Sequence, residues 1–175
     1  MGKFYMLVGY PGSGKSSFID DIDDIDDIDD IDDIADVICR DDEVIRLINS
    51  GLGKNKARSQ AHANIIDRIR NPRRNIVIHD SVNADPIGRR AFLEVVPADY
   101  EITMIFFEPA SLIVNGEYGE YVDWLHSIRA THHIFPSDRR KAIETIENIS
   151  RVFSGPTEEE QGRYNIIVKQ SYYNI

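Results

Sequence analysis

A single cysteine, Cys39, in 175 residues removes any internal disulfide, and with it the class of small disulfide-stapled secreted domains. The expected setting is therefore reducing and cytoplasmic. No run approaches the ~18–20 consecutive apolar residues that a membrane span needs, so no membrane partner is expected. The N-terminal stretch is apolar only from Phe4 to Val8 before it enters a glycine-rich turn, which is not the pattern of a signal peptide. Repeats with the 20–50-residue period of solenoids are absent too. At this length the expectation is one domain spanning residues 1–175.

Positive charge is scarce: 20 Lys and Arg stand against 30 Asp and Glu, a formal charge of −10. Taken alone, that balance argues against a nucleic-acid partner. Ten of the carboxylates, however, are the aspartates between Asp20 and Asp33; without them the counts are 20 and 20. The average is a poor guide to the active face.

Those aspartates belong to a low-complexity tract, residues 19–34, in which Ile-Asp-Asp occurs five times and is closed by Ile34. A period of three fits neither helix nor strand, and each Ile falls about 60° behind the last on an α-helix. A helix from about Ser16 that frays or bends toward Asp32 is expected, with Phe18, Ile22 and Ile25 sharing a buried stripe and Ile19 and Ile28 at its margins. Two readings stand: a cation-binding or nucleic-acid-mimicking surface, and a triplet expansion tolerated on a solvated face. The second is preferred.

Elsewhere, apolar runs at Phe4–Val8, Ala35–Cys39, Asn75–Asp80, Ile102–Phe107 and Asn165–Lys169 read as buried strands. Helical spacing appears between them. Asp42 is expected to cap a helix of about Glu43–Asn49 stopped by Gly51, with a Gly51–Lys56 loop before a helix over Arg58–Arg70. Asp85-Pro86 supplies a cap and first-turn proline for a helix through Val96. Glu117–Thr131 places Tyr121, Trp124, Leu125 and Ile128 on one side of a helix. Ser137 is expected to cap Asp138–Phe153, and Thr157–Glu160 is a capping-box pattern for a short helix that carries no chemistry. Alternating strands and helices imply an α/β fold with a five-stranded parallel sheet, order 2-3-1-4-5, in three layers, with helices on both faces. A helical lid is expected at about 117–140.

Gly9-Tyr10-Pro11-Gly12-Ser13-Gly14-Lys15-Ser16 matches G-x-x-x-x-G-K-[ST] at every fixed position, between a strand and a helix. Glycines let the backbone wrap a phosphate with its N–H groups pointing inward, and the following helix adds its positive dipole end. Lys15 is placed to reach the β/γ-phosphates and Ser16 to ligate Mg²⁺. The nucleotide-binding set is then Gly9, Pro11, Gly12, Ser13, Gly14, Lys15, Ser16 and Ser17. Asp80, ending an apolar strand, fits the second carboxylate that holds Mg²⁺ directly or through water. ATP and Mg²⁺ are the expected nucleotide and cofactor.

A guanine-reading Asn-Lys-x-Asp is missing, since Asn55-Lys56-Ala57-Arg58 has arginine at the carboxylate position. A kinase needs a base for an acceptor hydroxyl and cations over the transferring group. Asp41, just past the second strand, would sit at the carboxyl edge of the sheet where ligands bind in such folds; the alternative is that it merely shares helix capping with Asp42. Arg129, Arg139 and Arg140 are candidate cations, the last two also readable as an exposed helix face. His62, His79, His126, His132 and His133 show no metal spacing with one another or with Cys39, which reads as a small buried filler.

Together these residues resemble the kinase domain of the phage 5′-polynucleotide kinase family. The likeness is carried by the phosphate loop, by Arg40-Asp41-Asp42, by Asp80-Ser81 with Asn83, Pro86 and Arg89-Arg90, and by Arg129 followed by Pro136-Ser137-Asp138. It implies that Asp41 is the general base, that Arg129 contacts both nucleotide and transferring phosphate, that Asp80 organises the site, and that Arg40, Arg46, Ser81 and Asn83 line the acceptor. There are departures: the family's substrate-phosphate arginine is Val44 here, with Arg46 nearby, the first lid arginine is Leu125, and two residues are inserted between Asp80 and Arg89. The implied partners are a nucleoside triphosphate and a nucleic-acid 5′ end or modified base. A nucleoside or small metabolite kinase would use the same core, and a nucleotide-binding module without transfer is the rival from another class.

Overall fold

The structure is a computed structural model that describes residues 1–20, 35–128 and 135–171. Its five strands are β1 (Gly2–Val8), β2 (Ala35–Cys39), β3 (Ile76–Asp80), β4 (Tyr100–Phe107) and β5 (Asn165–Lys169). All neighbouring pairs are parallel, in the order β2-β3-β1-β4-β5, as the alternation of elements implied. Eight helices are seen among the described residues. They are α1 (Lys15–Asp20), α2 (Arg40–Asn49), α3 (Lys54–Arg70), α4 (Pro86–Leu93), α5 (Ser111–Val114), α6 (Tyr118–Ser127), α7 (Arg139–Val152) and α8 (Glu158–Arg163).

Strands covered on both faces must be apolar on both, which is why the central ones lack polar alternation. On one face Phe4, Met6, Val8, Ile38, Val77, Met104 and Phe106 pack with Ile65 and Ile69 of α3 and Phe92 and Leu93 of α4. On the other, Leu7, Ile78, Ile105 and Phe107 pack with Ile19, and Phe18 of α1 meets the Phe107 ring edge-on at 5.9 Å. A further apolar cluster joins Tyr10 of the phosphate loop to α5, α6 and α7 through Ile113, Tyr121, Leu125, Ala142 and Ile146.

Several helix boundaries differ from the sequence reading. α2 begins at Arg40, not Glu43, with Cys39 at its N-cap position, so Asp41 and Asp42 lie in its first turn instead of capping it. Carboxylates there are favoured by the helix dipole, which explains the earlier start. α3 begins at Lys54, inside the expected loop, because Ala57 and Ala61 are needed against Val44 and Leu47 of α2. The cap of α7 is Asp138, whose carboxylate accepts from the Lys141 N–H at 2.9 Å, and not Ser137. α4 ends at Leu93, short of Val96, and the one-turn α5 was not foreseen. Asp85 and the Thr157–Glu160 capping box behave as expected. The expectations for Ile22, Ile25 and Ile28, for Arg129, and for His132 and His133 fall outside the described residues.

Among the described residues no helix is long and apolar enough to cross a membrane.

Candidate active site

Parallel register brings the functional side chains to one edge. Asp80 closes β3 level with Leu7 of β1 and Cys39 of β2, so the phosphate loop after β1, Asp80, and the start of α2 after β2 share the carboxyl end of the sheet. Two hydrogen bonds stitch the β3–α4 connection to β1 and this loop: Gly9 N–H donates to the Val82 carbonyl (3.1 Å), and Asn83 Nδ2 donates to the Leu7 carbonyl (2.7 Å). Asn83 adopts a left-handed φ of 46°, which asparagine tolerates better than most residues. Its side chain is thus engaged with β1, whereas Ser81, beside it, is half-buried at the edge.

The loop itself is shaped for an anion. Gly12 (φ 77°) and Gly14 (φ 99°) take left-handed conformations that turn the backbone around a concavity. A Cβ on Gly9 would meet Ser13 Oγ at 2.6 Å and Phe107 Cβ at 2.9 Å, so the loop also needs glycine for its close approach to β4. Ser13 Oγ is buried with no hydrogen-bond partner among the described residues, an orphan that a ligand oxygen would satisfy. Ser16 and Ser17 follow Lys15 in the first turn of α1 and are exposed.

Lys15 is buried, and its Nζ donates to the Gly9 and Tyr10 carbonyls, both at 2.9 Å. Burial lowers its pKa, opposed first by the Asp80 carboxylate, then by Asp41, then by Cys39. Both carboxylates thus act on the Lys15 ammonium through their charge. Asp41 is half-buried and makes no ion pair among the described residues, as a proton acceptor needs. Burial pushes the neighbouring Cys39 thiol up to about 12, which removes it as a nucleophile.

Arg40 is exposed at the start of α2. Arg46 grips Glu43 with two bonds of 2.8 and 2.6 Å, and Glu43 also accepts from Asn64 of α3. Val44 fills the α2–α3 seam, so the residue standing where the resembled family has an arginine is a packing residue. Arg139 pairs with Asp123 of α6 through bonds of 2.6 and 2.8 Å at the surface, and Arg140 lies on an exposed helix face near Glu144.

Three features were not legible in the sequence. First, α6 clamps the phosphate loop: Tyr121 Oη donates to the Pro11 carbonyl at 2.7 Å, and a Cβ on Gly12 would overlap Leu125 Cδ2 and come within 3.2 Å of the Trp124 ring. The i, i+3, i+4 spacing marked the buried side of this helix but not its partner. Gly12→Ala is therefore expected to cost more than about 1 kcal/mol from backbone conformation alone. The overlap should also displace α6. Denaturant unfolding and nucleotide titration of the variant would show both losses together.

Second, Arg89 is fully buried. Nε and Nη2 donate to the Glu160 carboxylate at 2.7 and 2.9 Å, Nη1 to the carbonyls of Asn83, Ala84 and Ser154, and Nη2 to that of Gly155, each at 3.1 Å. Burial alone would raise the Glu160 pKa, but the Arg89 guanidinium and the Thr157 N–H more than reverse it. This knot fixes the loop that follows Asp80.

Third, His79 is fully buried against the Phe92 ring (4.5 Å), with both ring nitrogens unpartnered among the described residues. Burial pushes its pKa down to about 3, helped by the positive charge of Arg40 and by His62. The unfolded chain, with His near 6.5, then binds the extra proton between about pH 6.5 and 3. The stability due to neutral His79 is complete above that window and is lost as pH falls through it. His79→Leu should flatten unfolding free energy against pH there; an unchanged slope would show that other groups control it.

Among the described residues no cluster of three or more His, Cys, Asp or Glu side chains could hold a metal unaided. Ser16, in the first turn of α1, and Asp80, at the end of β3, are the residues that could hold Mg²⁺, which takes few protein ligands and completes its shell with water and substrate phosphates.

No protein-family model and no curated protein matches the sequence. Solved structures do match the fold. A gluconokinase from Sinorhizobium meliloti aligns at TM-score 0.56 and 16% identity, covering 98% of this chain and 83% of that one. A sugar kinase from Janibacter sp. aligns at 0.54 and 11%, covering 97% and 86%. At 0.50 and 11%, a structure from the PezAT chromosomal toxin–antitoxin system of Streptococcus pneumoniae covers 97% of this chain and 68% of its own. At such identities the shared property is the fold.

Proposed function

We propose that the protein is a Mg²⁺-dependent phosphotransferase that moves the γ-phosphoryl group of ATP to an acceptor hydroxyl, with the 5′-OH of a polynucleotide as the preferred acceptor. One observation supports the reading: parallel register sets Asp80 and the first turn of α2, with Asp41, at the carboxyl edge of the sheet beside a complete phosphate loop, and both carboxylates influence Lys15 through their charge.

The loop N–H groups and the Lys15 ammonium bind the triphosphate tail, and Lys15 exchanges its two loop carbonyls for phosphate oxygens. Bound at Ser16 and Asp80, Mg²⁺ would supply charge neutralisation on the β- and γ-phosphates. Asp41 accepts the proton of the acceptor hydroxyl as its oxygen bonds to the γ-phosphorus and the bond to the β-phosphate oxygen breaks, releasing ADP. Arg129 is assigned to the developing charge on the transferring group, and Arg40, Arg46, Ser81 and Asn83 to the acceptor's surroundings. Asn83 would serve through its hold on β1.

A second reading takes a small hydroxyl compound, a nucleoside or a hydroxymethylated base in DNA as acceptor, and is favoured by the gluconokinase and sugar kinase among the structures of like fold. Binding without transfer is the reading from another class. Incubation with γ-labelled ATP and a panel of 5′-OH DNA, 5′-OH RNA, hydroxymethylated DNA, nucleosides and sugars separates them. Label on the 5′-OH strands supports the first reading, label on a small compound alone overturns it in favour of the second, and label on nothing leaves a binder.

A further inference from the structure

The acceptor reading leaves one part of the molecule unused. α2 and α3 form an antiparallel hairpin, held by Asn64 Nδ2 donating to Glu43 (2.5 Å) and by Val44 and Leu47 packing on Ala57 and Ala61. The C-terminal end of α3 is anchored low on the sheet, where Arg68 bonds Asp36 and the Val37 carbonyl. One and a half turns earlier, His62 meets Phe92 at 5.1 Å, and Phe92 meets His79, next to the carboxyl edge. α3 therefore climbs past that edge toward its N-terminus. From His62 back to Lys54 is eight residues, a rise of about 12 Å. The tip of the hairpin stands beyond the site.

Its charge is basic, as is that of the opposite end of α3, where Arg70, Arg73 and Arg74 are exposed; the hairpin tip is the one of the two that stands by the carboxyl edge. Residues 44–66 contain Arg46, Lys54, Lys56 and Arg58 and not one Asp or Glu, in a protein where acids outnumber bases 30 to 20. Lys54, Lys56 and Arg58 are exposed, and none forms an ion pair among the described residues. Arg40, exposed below them at the start of α2, is likewise unpaired there. Charges on a folded surface with this many acids available are usually interspersed with opposite ones. Three exposed cations at the end of a projection favour a polyanion, and their rise past His62, about 6 Å for Arg58 and about 12 Å for Lys54, matches two to four steps of a stacked strand at about 3.4 Å each.

We propose that the hairpin tip, through Lys54, Lys56 and Arg58, binds the phosphodiester backbone of a polynucleotide acceptor about two to four nucleotides from the hydroxyl being phosphorylated. This rests on the polynucleotide reading above and adds where the strand runs. A small acceptor would be too short to touch it.

The test compares the wild type with Lys54→Gln/Lys56→Gln/Arg58→Gln on a 5′-OH dinucleotide and a 5′-OH ten-nucleotide strand, from 50 to 300 mM salt. Losing three phosphate contacts should lower the slope of log kcat/KM against log salt for the long strand by about 2. KM for that strand should rise at least tenfold at 50 mM, while KM for ATP, KM for the dinucleotide and kcat stay unchanged. Arg70→Gln/Arg73→Gln/Arg74→Gln changes net charge equally at the opposite end of α3 and should do none of this. If the ten-nucleotide strand is labelled but its KM and salt slope ignore the tip substitution, or if both triple variants act alike, the inference is wrong. Failure of the wild type to label any strand would instead sink the polynucleotide reading itself.

Discussion

Asp41→Asn is expected to abolish phosphoryl transfer and leave ATP binding in place. Asparagine matches the shape of aspartate but takes up no proton, so the attacking hydroxyl would have to lose its proton to water. A positioned base contributes about 10²- to 10⁴-fold, and the loss should fall in that range. The fold should survive, because Asp41 is one of three acidic residues, with Asp42 and Glu43, in the first turn of α2. Removing one such charge costs about 0.3–1 kcal/mol. Lys15 keeps Asp80, the larger of the two carboxylate influences on it, so the grip on phosphate should persist. Titration with an ATP analogue alongside a transfer assay reads both halves. Normal transfer by the variant would show that the base lies elsewhere.

Arg89→Met should be the most destabilising single substitution near the site. Breaking a buried ion pair by removing one partner costs about 3–5 kcal/mol, because the remaining charge is left buried without compensation. Here four backbone carbonyls, at Asn83, Ala84, Ser154 and Gly155, lose a donor as well. For that reason Arg89→Met/Glu160→Leu should recover only part of the loss, unlike pairs that a hydrophobic isostere replaces at little cost. Denaturant midpoints of the single and double variants measure this directly. Full recovery would mean that the carbonyls find water or other donors and that the ion pair alone mattered. Since Asn83 and Ala84 follow Asp80, residual folded enzyme should also lose activity.

Much of the site could be read from the residues because its chemistry is local. Gly12, Gly14, Lys15 and Ser16 need only a strand before them and a helix after them, and both are short-range patterns. The parallel sheet followed from apolar runs alternating with helical spacing. Boundaries were less legible where long-range packing set them. The start of α3 at Lys54 depends on Ala57 and Ala61 meeting Val44 and Leu47, and the start of α2 at Arg40 on β2 ending at the edge. His79 read as one histidine among five; only burial against Phe92 sets it apart.

By itself, then, the amino-acid order determined the phosphate loop, the strand and helix alternation and the acids that flank them, since each depends on neighbours within a few positions. Tertiary structure alone decided that Tyr121, Trp124 and Leu125 close on Gly12, that Arg89 ties the loop after Asp80 to Glu160, and that Lys54, Lys56 and Arg58 stand exposed at the N-terminal end of α3. Those are contacts between residues 71 to 113 positions apart or exposures set by the whole fold, and no local pattern encodes which distant group a side chain will meet.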